Sequence, residues 1–163
     1  MQQASNNEQP KATILLVDDD KCTLELYGCI LNTLRNHCVV IKVACPFDAL
    51  SLLRDHQQID VVVTDLNMPL MNGSELIWCV RKEYPHIRCA LMSTDHYAVH
   101  HFAHVLNVPC IMKPTHIDTF LNCIDILITT NAMIETTTLT VRNTEHRRAY
   151  YEHNTNSVNC FPC

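Results

Sequence analysis

The chain has 163 residues, with 17 acidic and 12 basic side chains, a net charge of −5, and 47% apolar residues. That is enough for one domain with a proper core, or one domain plus a tail. The negative balance argues against a DNA- or RNA-binding module, and no apolar run approaches the ~18 residues of a membrane span.

Residues 1–11 read as a flexible polar leader. Residues 13–17 (TILLV) form a short apolar strand that ends in Asp18, Asp19 and Asp20. Residues 23–35 follow with Leu24, Tyr27, Leu31 and Leu34 at helical spacing, and Asp20 is placed to cap that helix. Residues 39–45 read as a second strand. Pro46 then opens a helix over residues 47–54, where proline is tolerated in the first turn. Residues 59–64 are a β-branched run interrupted only by Asp60, which suits a strand buried on both faces of a parallel sheet. The run stops at Asp65 and passes through the turn residues Pro69 and Gly73.

Gly73–Glu83 is expected to be a helix with Leu76, Ile77 and Val80 inward, stopped by Pro85. Arg88–Ser93 is a fourth strand, His96–Leu106 a helix, and residues 109–112 a very short fifth strand. Residues 116–129 form a strongly amphipathic helix, with Ile117, Phe120, Leu121, Ile124, Leu127 and Ile128 on one stripe. Past about residue 130 the pattern fails. Residues 136–141 are a candidate strand, and residues 132–163 are expected to be a polar, poorly ordered tail. Five strands alternating with five helices over residues 12–131 predict an α/β fold with a parallel sheet and right-handed crossovers.

Ten cysteines invite a disulfide scaffold. Eight of them, from Cys22 to Cys123, are scattered singly through apolar-periodic segments, and no secretory signal precedes them. Reduced thiols in a cytoplasmic protein are therefore expected. Gly28 and Gly73 are the only glycines, which excludes a Rossmann fingerprint or a P-loop.

The strand ends carry the chemistry. Strand one ends in Asp18 and Asp19, strand three in Asp65, strand four in Ser93-Thr94, and strand five runs into Lys113-Pro114. In a doubly wound sheet of order 2-1-3-4-5, strands one and three are neighbours at the switch point, where such sheets bind ligands. Three carboxylates would crowd one crevice and repel. A hard divalent cation relieves this, and Mg²⁺ held by one or two carboxylates plus waters fits best. A hydroxyl from Thr94 and the ammonium of Lys113, arriving from the other side, suit the oxygens of a phosphoryl group.

ILLVDDD, VVVTDLNMPLMNG, ALMST and IMKP, in that order, resemble the receiver domain of two-component response regulators, over about residues 13–130. The strand order 2-1-3-4-5 of a flavodoxin-like sheet is taken from that resemblance. It implies that Asp65 accepts a phosphoryl group from a histidine kinase or phosphotransfer protein. Mg²⁺ (or Mn²⁺) would be held by Asp18, Asp19, Asp65 and the backbone carbonyl of Asn67. Lys113 would pair with Asp65 and then with the phosphoryl oxygens, while Thr94 would bond the phosphoryl group. The expected activity is self-catalysed phosphotransfer and autodephosphorylation, with a downstream protein target and no DNA. A homodimer through the fourth and fifth helices is a further expectation.

Some residues depart from the family pattern. Cys110 stands where a switching aromatic usually lies, and Asp95 where a small residue is usual. An alternative register makes Ser93 the switch hydroxyl. A degenerate receiver acting only as a protein-interaction module is the competing reading. His96, His100, His101 and His104 on the fourth helix read as solvent-facing, with a metal pair among 96, 100 and 104 as the alternative. The CFPC ending, Cys160 and Cys163 with His146 and His153, reads as an unstructured end rather than a zinc site.

Overall fold

The computed structural model describes residues 12–55 and 58–129. Five parallel strands lie in the order β2-β1-β3-β4-β5. They are β1 (Ala12–Val17), β2 (Cys38–Val43), β3 (Val61–Asp65), β4 (Arg88–Ser93) and β5 (Cys110–Met112). The connecting helices are α1 (Lys21–Leu34), α2 (Pro46–Asp55), α3 (Gly73–Glu83) and α4 (His96–Leu106), and α5 (Ile117–Thr129) closes the set. The leader and the tail, including the candidate strand at 136–141 and Cys160 and Cys163, lie outside the described residues.

Strand alternation divides the core into two layers. Ile14, Leu16, Val61, Val63, Ala90, Met92 and Ile111 face α1 and α5, where Leu24, Tyr27, Leu31, Phe120 and Ile124 cover them. The Tyr27 and Phe120 rings meet at 4.6 Å between centroids. Leu15, Val17, Val62, Cys89 and Leu91 face the other way and meet Ala49, Leu53, Leu76, Ile77, Val80, Val99 and Ala103 of α2, α3 and α4. The central strand β3 is buried along its whole length, as its β-branched run demands.

Helix starts fix where the strand ends point. Asp20 caps α1 as expected, accepting from the Cys22 amide and the Thr23 hydroxyl. Asn72 caps α3 in a reciprocal box with Glu75. The third strand begins two residues later than the sequence suggested. Asp60 stays outside it and uses its side chain to accept the Thr13 amide at 2.8 Å. Trp78 is half-exposed on the outer side of α3, with the Lys82 ammonium 5.0 Å from its ring centroid. The eight cysteines of the described residues are all free thiols. Burial pushes the thiol of Cys89 up to about 12 and that of Cys123 up to about 11.

Candidate functional site

Alternation along the strands puts three charged groups on one side of the sheet's carboxyl edge. Asp18 continues the Ile14–Leu16 parity, Asp65 continues Val61–Val63, and Lys113 continues from Ile111. The Lys113 ammonium lies 2.8 Å from Asp18 Oδ2 and 2.6 Å from Asp65 Oδ1. Asp18 and Asp65 are buried, and Lys113 is only 14% exposed.

Each carboxylate is held at both oxygens. Asp18 Oδ1 accepts the Asp20 amide at 2.9 Å, and Asp65 Oδ2 accepts the Asn67 amide at 2.7 Å. Burial raises the Asp18 pKa despite its bond to Lys113. Burial also opposes the charge on Lys113, but the hydrogen bonds to Asp18 and Asp65 outweigh it and raise its pKa. One ammonium between two carboxylates leaves a net charge of about −1 when all three are ionised.

The loop after β3 is clamped against this site. The Leu66 amide bonds the Met92 carbonyl, and the Gly73 amide bonds the Leu66 carbonyl. A Cβ on Gly73 would sit 2.0 Å from the Asp65 carbonyl oxygen. Glycine is thus required because α3 begins in contact with the backbone that carries Asp65. Leu70, between them, holds the left-handed conformation (φ 71°) and is 87% exposed. That is a strained backbone for a branched side chain beside a functional loop.

Residues 14–125, more than half of the chain, match the model of the response regulator receiver domain. The chain belongs to that family. It is 36% identical over 85 residues to a chemotaxis protein CheY homolog of Campylobacter jejuni, a match covering 50% of this chain and 64% of that protein. It is 32% identical over 87 residues to the putative two-component response regulator ARR13 of Arabidopsis thaliana, covering 52% of this chain and 15% of that one. This chain therefore spans less than two thirds of the length of these relatives. Among solved structures it resembles the chemotaxis protein CheY4 of Vibrio cholerae, with a TM-score of 0.64, 22% identity, and coverage of 72% of this chain and 98% of that one. A BeF3-activated DrrB receiver domain gives a TM-score of 0.63 at 21% identity, covering 74% and 99%. These likenesses establish the fold.

Within this receiver, the predicted site residues are not all placed alike. Asp18, Asp65 and Lys113 converge, and the Asn67 backbone is tied to Asp65. Asp19 is exposed, and among the described residues no group of three or more His, Cys, Asp or Glu is gathered as a metal site. The two candidate hydroxyls are placed differently. Thr94 is exposed, whereas Ser93 is fully buried, and its Oγ lies 3.2 Å from the Asn67 side-chain amide and accepts the Asp95 amide at 3.0 Å. The physical reason is where the strand stops: β4 ends on Ser93, and Thr94 is already in the turn that leads to α4.

Asp95, where a small residue is usual, is engaged by the helix that follows. Its Oδ1 accepts the Tyr97 and Ala98 amides at 3.0 Å each, so it caps α4. Cys110, in place of the aromatic, is half-buried with its Sγ 3.5 Å from His100 Nδ1, and burial raises its pKa. The four histidines of α4 are exposed. The His96 and His100 rings stack at 6.4 Å, and the histidines form no three-ligand metal group. Sequence reading held Ser93 only as the alternative register and missed the Asp95 cap. An aspartate directly before a helical run, with a serine two residues upstream, was the available signal.

Proposed function

We propose that this receiver takes a phosphoryl group onto Asp65 from the phosphohistidine of a histidine kinase or phosphotransfer protein. An Asp65 carboxylate oxygen forms the new P–O bond as the P–N bond to the donor imidazole breaks. The departing imidazole nitrogen keeps the bonding electron pair. The observation that carries this reading is the Lys113 bridge between two buried carboxylates from different strands. Both Asp65 oxygens are hydrogen-bonded, which fixes the carboxylate's orientation, and each keeps a lone pair. Phosphoryl transfer is mostly positioning and charge neutralisation, and this arrangement supplies both. Lys113 neutralises phosphoryl oxygens, and Ser93 takes the hydroxyl role expected of Thr94.

The donor set also fits a hard cation: only oxygens, from carboxylates that one ammonium leaves incompletely balanced. Mg²⁺ (or Mn²⁺), held by Asp18, Asp19, Asp65 and the Asn67 carbonyl, would neutralise the charge of the incoming phosphoryl group. Among the described residues no helix is long and apolar enough to cross a membrane.

Incubation with Mg²⁺ and a small acyl- or amidophosphate donor tests the reading by intact mass. A gain of one phosphoryl group is expected, absent in Asp65→Asn. A wild-type protein that binds Mg²⁺ yet gains no mass overturns it. That outcome would favour a non-switching interaction module, a reading that Cys110 in the aromatic position supports.

A further inference from the structure

The structure assigns Tyr27 as a positioning residue for Lys113, acting through the backbone of the loop that leads from β5 into α5. The inference rests on the proposed phosphoryl transfer to Asp65, in which Lys113 meets the phosphoryl oxygens.

The lysine needs a tether that its own strand does not provide. β5 is three residues long and stops at Met112. The Lys113 amide bonds the Ser93 carbonyl at 2.8 Å, which holds the backbone on the β4 side. Pro114 follows, is exposed, and has no N–H to give. Thr115 therefore carries the first amide beyond Lys113 that can hold the loop from the other side. That amide hydrogen-bonds the phenolic oxygen of Tyr27 on α1.

Tyr27 is itself held firmly. It is 5% exposed, and its ring centroid lies 4.6 Å from that of Phe120. The layer around it, including Leu24, Leu31, Phe120 and Ile124, is apolar, so packing alone would be served by phenylalanine. The single polar atom on this buried ring finds its partner in the loop. Tyr27 also shares with Asp18 the wall of a small cavity between α1 and the sheet. The phenol thus lies on the inner side of the charged site, within electrostatic reach of Lys113 and Asp18. Burial raises the Tyr27 pKa, so at neutral pH the phenol adds no further negative charge to the two carboxylates. What it contributes is placement. β4 fixes the loop at Lys113 and α1 fixes it at Thr115, so the ammonium between Asp18 and Asp65 extends from a backbone held on both sides. Transfer rates depend steeply on such placement.

The test follows phosphoryl gain of the full chain by intact mass, over time, with acetyl phosphate at a fixed concentration and Mg²⁺ titrated to saturation. Tyr27→Phe keeps the ring and removes the oxygen. It should slow the gain about fivefold at saturating Mg²⁺ and leave the half-saturating Mg²⁺ concentration unchanged. The same substitution made in Lys113→Met should slow it less than about twofold, because no ammonium is left to place. A role confined to packing would lower the melting point and leave the rate alone. Equal rates in wild type and Tyr27→Phe overturn the inference, and so does a loss of the same size in the Lys113→Met background. Where Lys113→Met fails to fold or gains too little mass to time, the ¹³C resonance of the Lys113 ε-methylene decides. Tyr27→Phe should move it and leave that of Lys82 in place. An unmoved Lys113 signal overturns the inference while the phosphorylation reading stands. A wild type without mass gain overturns both.

Discussion

Two buried or half-buried ion pairs in this receiver are built in opposite ways. Where α1 meets α5, Arg35 grips Asp125 with two bonds of 2.8 and 2.6 Å, and the two side chains remain 24% and 39% exposed. At the sheet's carboxyl edge, one lysine serves two carboxylates that are 5% and 7% exposed. The hydrogen bond from Arg35 holds Asp125 below the usual carboxylate range, while burial pushes Asp18 above it. Asp125 is thus more comfortable charged in the folded chain than in the unfolded one, and Asp18 is less so. The first pair is arranged for stability. The second holds charge where water cannot relieve it, which suits a site awaiting further charge.

The largest expected effect comes from removing the shared cation. Lys113→Met leaves Asp18 and Asp65 facing each other without compensation, at a cost of roughly 3 kcal/mol at neutral pH. A thermal melt should fall by about 6–12 °C. Adding Asp18→Asn should recover part of that loss. An unchanged midpoint would mean that the ammonium contributes nothing net to the fold.

A smaller effect of opposite sign is expected for Asp18→Asn alone. The raised pKa means that Asp18 favours the folded state most below its unfolded value of 3.8, and this contribution is lost as pH rises through the folded pKa. At pH 7 without divalent metal the variant should melt about 2 °C higher than wild type, an advantage that shrinks as pH falls toward 4. If Mg²⁺ is held as proposed, the variant should also lose most of the stabilisation that added Mg²⁺ gives the wild type. A lower midpoint would show that the Lys113 contact outweighs burial.

The smallest effect is that of Arg35→Ala, about 0.5–1 kcal/mol for a solvent-screened pair. Here the sign reverses. Asp125 stabilises above the usual carboxylate pKa, and that gain is lost as pH falls through its lowered folded value. The melting deficit should therefore be largest near pH 7 and shrink both below pH ~3 and in high salt. An equal deficit at all pH values would assign the contribution to the packed stem of Arg35 instead.

The sheet was legible because its signal is dense. The β-branched run up to Thr64 marks a buried strand, although β3 starts only at Val61, and the acids that follow β1 and end β3 reach the same edge because the parity of a pleated strand leaves no choice. Lys113 followed from Ile111 in the same way. The hydroxyl did not, because Ser93 and Thr94 differ by a single residue at a strand end, and one residue reverses the face. The role of Asp95 was hidden for a related reason. Its side chain lies among backbone amides of the helix that follows, and these exist as a cap only once α4 has formed. The contact of His100 with Cys110 joins a helix and a strand whose packing no local pattern encodes.

Trp78 is the chain's single indole. It rides on the helix whose first residue abuts the Asp65 carbonyl, with a lysine ammonium over its ring. Intrinsic fluorescence from this protein therefore has one dominant source, five residues along α3 from the glycine that abuts the Asp65 carbonyl. Stopped-flow emission traces can follow events in that crevice without any attached dye, and iodide or acrylamide quenching reads the same helix from outside.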